Sequence, residues 1–550
     1  MPQTRSTESN DPSEAAGGAA RLRAPELGEW IDALPLADAG ETYQRVLGSL
    51  SKLNDNALPV PERFETLELF RKPVRYLSDA LKHHFVGASF PLTRRAHGVA
   101  AQLYELHLEM AKGYQSISDE LLDLNTLRQD FTMLATSLHR VLYYLGQRLL
   151  TAYQVYEPCG AGYWSRIHLI YDAAESKGVQ ASVVKDPYRR GKQETTVENQ
   201  FKQILLLALA NPYRYPQADM AGIHTLLEQW APLCHFQPTD RFDELQHACL
   251  VDLASDEGPC YITYSSTPHA TTCRLLETSG LIQSLQNSIA ADVDERSNQV
   301  SATGTEQTST RGKKLLRSLI SAWGSTTKRR FSRMQSETKT SRICLGLSTV
   351  HRLIENLDSI PNVVGDTPSP PESTLVRRYG ATGRVHKSNN DGPYECEVIN
   401  ESADGSLLRW HNANNGKIRV GELIAIRRTD ESGELSGIAV IRWLKNTGKR
   451  TVEFGIQLLS PDAFPVTIRH YNSNDGQSGY DYLKGLFIPE LMAARQPASL
   501  ILPAFLYRAD DLVSLMMDSQ EHCLQLVKAV ETTPGYSRFL FTSMAAQDRH

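Results

Sequence analysis

Three groups of residues in this 550-residue chain are of types and spacings that could do chemistry. The first is His247, Cys249, Cys260, His269 and Cys273, a cluster of the side chains that bind zinc. Its H-x-C-x10-C-x8-H-x3-C spacing matches no knuckle or finger, and buried free thiols explain it as well. The second is the neighbours Cys234-His235 and His522-Cys523. A cysteine nucleophile needs its histidine close in space, and adjacency in sequence does not provide that. The third is the string Asn400-Glu-Ser402-Ala-Asp-Gly405, in which an amide and a hydroxyl sit on a short turn. Alone, it is also good hairpin chemistry, because Asn and Ser bond their own backbone and Gly accepts unusual φ values. The phosphate-binding, dinucleotide-binding and nucleophile-elbow signatures G-x-x-x-x-G-K-[ST], G-x-G-x-x-G and G-x-S-x-G are absent, as is H-E-x-x-H. A non-enzymatic protein with no cofactor and no metal is therefore expected.

The elements that must position these residues fall into two kinds. From about 25 to 290 the pattern is helical. Val99, Leu103, Leu106 and Met110 recur at steps of three and four, which puts them on one helix face. Leu124, Leu127, Phe131, Leu134, Leu138 and Leu145 continue the pattern through 121–150. The run Ile204 to Ala210 is apolar all round and should be buried until Asn211-Pro212 stops it. Such helices predict a bundle or a stack of helical pairs. Residues 291–340 turn polar and then basic, with Arg311, Lys313, Lys314, Arg317, Lys328, Arg329, Arg330 and Arg333. Leu315, Leu316, Leu319, Ile320 and Trp323 lie on one face of a basic amphipathic helix. That helix suits either an anionic surface or partner groove, or docking on its own domain.

Beyond the Gly365 to Ser373 break the pattern becomes strands: Tyr394 to Ile399, Ser406 to Trp410, Leu423 to Arg427, Gly437 to Trp443 and Val452 to Leu459. Short strands at regular spacing between turn residues predict an antiparallel barrel. The fold class is therefore α+β: an all-α N-terminal domain, then a β-rich half with a six-stranded antiparallel barrel. The division expected is a disordered tail (1–24), the helical domain (25–290), a linker (291–340), a lead-in (341–372), the barrel (373–465) and a β-rich segment (466–550). Whether that last segment is a second barrel or an extension of the first stays open.

The turn, with Gly437-Ile-Ala-Val-Ile-Arg-Trp443 and Phe454-Gly-Ile-Gln-Leu-Leu459 after it, resembles the PilZ domain family of bacterial cyclic-di-GMP receptors over about 375 to 465. The resemblance implies that Asn400, Ser402 and Gly405 face a guanine nucleotide, with the glycine supplying a positive φ and close backbone approach. It also implies an arginine pair upstream at R-x-x-x-R spacing, since guanidinium groups bind phosphate and stack on purines. Arg377, Arg378 and Arg384 are present there, with no two of them four apart. Two functions follow. One is a cyclic-di-GMP-responsive regulator whose helical domain engages a protein partner. The other is a degenerate scaffold working by protein contact alone.

Net charge of −5 and the absence of a nucleic-acid module argue against a nucleic-acid partner. The longest apolar run has seven residues, from Ile204 to Ala210, against the roughly 20 a membrane helix needs. No signal sequence is seen, and eight scattered cysteines suit reduced thiols, so a cytoplasmic location is expected.

Overall fold

The structure is a computed structural model. It describes residues 24–124, 130–240, 245, 247–262, 271–297, 305–324, 334–335, 340–358, 393–402, 404–411, 418–428, 435–448, 450–471, 482–492, 495–517 and 520–544. The tail expected over 1–24 lies, but for its last residue, outside them, as do Arg377, Arg378, Arg384 and His269. The chain forms two compact units, 1–329 and 330–550.

The first unit carries helices α1 (Ala24–Asp32), α2 (Ala39–Asp55), α3 (Val60–Lys82), α4 (Arg94–Asp123), α5 (Phe131–Gln154), α6 (Tyr163–Ser176), α7 (Val197–Leu209), α8 (Gln217–Trp230), α9 (Ser279–Ser297) and α10 (Thr305–Gly324). Side-chain caps set their starts: Thr93 accepts from the Ala96 amide, Asp130 from Met133 and Thr196 from Asn199. Leu103, Leu106 and Met110 are fully buried. The single run expected over 121–150 is in fact two helices. Leu124 is exposed, and Asp130 caps a new helix at Phe131. In α7, Phe201 and Ile204 to Leu207 are all buried, and the helix stops before Asn211-Pro212 as the sequence predicts.

Between these helices the unit also carries strands, which an all-α reading of 25–290 does not contain. A two-stranded hairpin joins β1 (Val184–Lys185) and β2 (Glu194–Thr195). An antiparallel four-stranded sheet is built from β3 (His235–Gln237), β4 (Ala248–Asp252), β5 (Cys260–Tyr261) and β6 (Cys273–Glu277), in the order β3-β6-β4-β5. Strands of two to five residues are too short for their periodicity to separate them from helix. The basic helix α10 docks on its own unit. Leu319 and Trp323 are buried, the Trp323 indole N–H donates to the Leu206 carbonyl at 3.0 Å, and Thr278 Oγ1 donates to the Trp323 carbonyl at 2.8 Å.

The second unit begins with β7 (Met334–Gln335) and β8 (Thr340–Leu345), followed by α11 (Leu347–Asp358). Then come β9 (Tyr394–Ser402), β10 (Gly405–Trp410), β11 (Leu423–Arg428), β12 (Leu435–Gly448) and β13 (Thr451–Ser460). Strands β8 to β13 close an antiparallel six-stranded barrel in the ring order β8-β9-β10-β13-β12-β11, and β7 adds to β9. The segment 341–372, expected as a lead-in, thus supplies a barrel strand, separated in sequence from its neighbours by 359–392. His351 on α11 is buried, with Nε2 3.2 Å from the Val466 carbonyl.

The last segment carries a barrel of its own, with strands from Phe464 to Ser543. Strands β14 (Phe464–His470), β15 (Leu483–Ile488), β16 (Ser499–Leu502), β17 (Leu512–Met517), β18 (Gln520–Thr532) and β19 (Ser537–Ser543) close in the order β14-β15-β16-β19-β18-β17. Its interior holds Val466, Ile468, Leu500, Val513, Leu526 and Phe539. A separate apolar cluster joins the two barrels. Leu423, Ala425, Ile438 and Val440 on the outer face of the first pack with Val350 and Ile354 of α11 and with Leu486, Ile488 and Ile501 of the second. Strands β11 and β12 are therefore buried on both faces, which is why they read as continuous apolar runs rather than alternation.

Candidate binding site on the outer face of the first barrel

The side chains of a strand alternate between barrel interior and exterior, and cross-strand partners share a face. On β9, Cys396 and Val398 are buried, and Val398 pairs with Leu408, which is 1% exposed and points inward. Strict alternation would send Asn400 and Ser402 inward as well. The register shifts at this point: Asn400 pairs with Leu407, leaving Ile399 as an extra residue. This bulge re-aims the end of the strand, as bulges do. Asn400 comes to lie in a row with Leu407, Gly455 and Trp443 across four strands of the outer face.

The turn is held from within. Ser402 Oγ donates to the Gly405 carbonyl at 2.9 Å, which leaves its lone pairs as acceptors. Gly405 is required for a reason other than the expected one, because its φ is not positive. A Cβ built there would lie 1.9 Å from the Ile456 carbonyl oxygen, so β13 passes too close for any side chain. Gly455 is a second close approach. A Cβ there would meet the Trp443 indole nitrogen at 1.9 Å, so the indole lies across the Gly455 backbone.

A polar chain leads away from the turn. Gln457 Nε2 donates to Asp404 Oδ1 at 3.2 Å, and Arg442 Nε donates to Gln457 Oε1 at 2.7 Å. Arg442 also grips Glu531 of the second barrel, through Nη1 to Oε1 at 2.5 Å and Nη2 to Oε2 at 3.3 Å. The Tyr536 hydroxyl donates to Glu531 Oε2 at 2.9 Å. Burial works against the charge of Arg442, but Glu531, Tyr536 and Asp404 together outweigh it and hold the guanidinium above its ordinary range. Burial and the Glu531 charge push the Tyr536 phenol far up.

An amide, a hydroxyl, a guanidinium and a half-buried indole on one face are what a purine nucleotide needs, with hydrogen bonds to its edge and a ring to stack on. Of the residues named from sequence, the structure brings Asn400, Ser402 and Gly405 together, and the three arginines fall outside the described residues. Sequence reasoning missed Asp404, Gln457, Arg442 and Glu531 as partners of the turn. Trp443 and Gly455 stood in the strands that carry the resemblance, and only cross-strand register shows that they share the turn's face.

The other candidates do not assemble. Among the described residues, no three His, Cys, Asp or Glu side chains converge as metal ligands. Cys249 pairs with Tyr261 while Cys260 pairs with Leu250, so the two thiols leave their sheet on opposite faces. Burial pushes the Cys234 and Cys249 thiols up to about 12, the reverse of an activated nucleophile. No described helix is long and apolar enough to cross a membrane.

Comparison with known proteins gives the same picture. Residues 249–374 and 359–465 match the family described as "Cyclic-di-GMP receptor FimW, middle PilZ domain". The chain is a divergent member of the PilZ domain family. Its PilZ barrel is flanked by two further matches, "Cyclic-di-GMP receptor FimW, N-terminal domain" over 25–240 and "FimW C-terminal beta-barrel domain" over 466–544. A relative named Cyclic-di-GMP receptor FimW, from Pseudomonas aeruginosa, is 24% identical over 556 residues, covering 94% of this chain and 89% of the relative. No solved structure matches the chain. The PilZ match begins at Cys249, inside the small sheet of the first unit.

Proposed function

We propose that this chain is a cytoplasmic, non-enzymatic cyclic-di-GMP receptor, in which the PilZ barrel takes the dinucleotide and the helical unit engages a protein partner. The observation that carries this reading is the bulge at Ile399, which turns Asn400 and Ser402 onto the outer face that also carries Trp443. A hairpin that needed only to close would have no use for that re-aiming. Arg377, Arg378 and Arg384 remain proposed phosphate donors on their chemistry alone.

Calorimetric titration of the full chain with cyclic-di-GMP, beside GTP, tests the reading. Micromolar or tighter binding is expected, weakened about tenfold or more, some 1.4 kcal/mol, in Asn400→Ala and Ser402→Ala. No heat at ligand concentrations above about 100 μM would favour the second reading, a scaffold without ligand. One feature supports that alternative: the Ser402 hydroxyl proton is already committed to the Gly405 carbonyl.

A further inference from the structure

The polar chain behind the turn crosses from one barrel to the other, and its middle member is an arginine. Arg442 follows Ile441 at a register shift on β12, so it is the extra residue of a bulge, as Ile399 is on β9. Two bulges re-aim side chains on one face, and Asp404 of the turn is close enough to act electrostatically on Arg442. A guanidinium has five N–H donors. Nε serves Gln457, and one hydrogen each of Nη1 and Nη2 serves Glu531. The other two make no hydrogen bond among the described residues, and about a third of the Arg442 side chain is exposed (32%).

We propose that Arg442 is a specificity residue of the nucleotide site, held in place by Glu531 and Tyr536, so that the second barrel completes a site that the PilZ barrel begins. The inference rests on the reading of the turn as a cyclic-di-GMP site. Charge balance points to the part of the ligand that Arg442 takes. Glu531 neutralises the guanidinium through two hydrogen bonds, leaving little net attraction for a phosphate. Its free donors suit a neutral acceptor, and the O6/N7 edge of guanine presents two. Adenine puts an N6 amino donor where guanine has O6, so a cyclic adenine dinucleotide would set donor against donor. Glu531, only 7% exposed and gripped by Tyr536, is the positioning residue.

The test is titration of the full chain with cyclic-di-GMP and with cyclic-di-AMP, in the wild type, Glu531→Gln, Glu531→Asp, and Arg442→Met combined with Glu531→Gln. The double variant removes both charges together and so avoids stranding a buried carboxylate. The wild type is expected to prefer cyclic-di-GMP at least about a hundredfold. In the double variant, affinity for cyclic-di-GMP should fall about tenfold and the preference should narrow with it. Glu531→Gln should narrow the preference because an unbalanced guanidinium turns to phosphate, which both ligands share, and Glu531→Asp should restore it. A thermal scan reports folding for each variant. If the double variant keeps both affinity and preference while Ser402→Ala loses binding, the role of Arg442 is overturned and the turn site stands. Equal losses for both nucleotides would overturn the base-edge assignment. A wild type that binds neither overturns the turn site, and this inference with it.

Discussion

Gly405→Ala is expected to separate the β9–β10 hairpin from β13 and to abolish nucleotide binding with it. The obstacle is the first side-chain carbon. At 1.9 Å from the Ile456 carbonyl oxygen it cannot be accommodated by rotating a side chain, because the atom it meets belongs to the backbone of the next strand. One strand has to move, which costs about 3 kcal/mol, the upper end for forced overpacking. Asparagine separates this cause from the one the resemblance suggests. A glycine kept for a positive φ is often replaceable by asparagine, which tolerates that region. Here Gly405→Asn should be as damaging as alanine. The readout is amide hydrogen exchange at Leu407–Trp410 and Val452–Phe454, where β10 pairs with β13, together with the cyclic-di-GMP titration. Wild-type protection in Gly405→Asn would show that β13 does not press on this position.

That contrast also marks what the sequence could show. The turn string and the two strands after it were legible because local chemistry writes them: Asn, Ser and Gly in a tight loop, then apolar residues at strand spacing. The face on which Asn400 lies was not legible, because a bulge leaves no signature in composition. It appears only when β9 is laid beside β10. The segment of β8 reads as strand-like in the sequence, but its place in the barrel does not show there for a related reason, since 359–392 separates it from β9, its neighbour in the ring. The second barrel was visible as strands but not as a closed ring. Closure depends on β14 meeting β17, which lies over forty residues away.

The join between the barrels was the least legible. Glu531 is one acidic residue among many in the sequence, and its importance comes from Arg442, which lies 89 positions earlier. In the fold, Tyr536, which donates to Glu531, belongs to an apolar cluster that is shared by the two barrels and α11. Removing either partner alone strands the other, Glu531 buried or Arg442 partly so, which costs more than the pair itself contributes. The second barrel is therefore tied to the PilZ barrel both by shared apolar surface and by a polar chain that ends at the candidate turn. A perturbation at Asp404 has a short covalent and hydrogen-bonded route to β18.

Acidification from about pH 7.5 to about pH 5 is expected to cost the helical unit about 2 kcal/mol for each histidine that the fold keeps neutral. Three are well placed. Burial pushes the His107 imidazole far down, with Lys82 and Arg148 adding to it. Burial does the same to His139, beside Arg140, Arg71 and Arg189. His224 is pushed to about 3 by burial and by Lys82. A histidine with a depressed folded pKa contributes stability above its unfolded value, near 6.5, and that stability is lost as pH falls towards the folded value. Together the three make about 6 kcal/mol at stake, a large share of the 5–15 kcal/mol by which domains are stable. His139 matters most to the core. Arg140 Nη1 donates to its Nδ1 at 3.1 Å, and the same guanidinium bridges Glu68 at 3.0 Å and Asp186 at 3.3 Å. Arg71 reaches Asp186 at 2.7 Å. A proton on Nδ1 removes that acceptor and sets a third cation against the two arginines. Burial pushes the Asp186 and Glu68 carboxyls up, but Arg140 and Arg71 together outweigh it and hold both below the usual range. Their contribution persists below pH 5 and is lost only below about pH 4, so the loss above that comes from the histidines. Far-ultraviolet circular dichroism follows the unit directly, since all the described helices but α11 belong to it. The thermal midpoint of the helical signal should fall steeply between pH 6.5 and 5. His139→Gln keeps an acceptor for Arg140 without a titrating ring, and should make that fall shallower by about 2 kcal/mol. A midpoint that stays level across this interval would mean that these imidazoles are not held neutral by the fold.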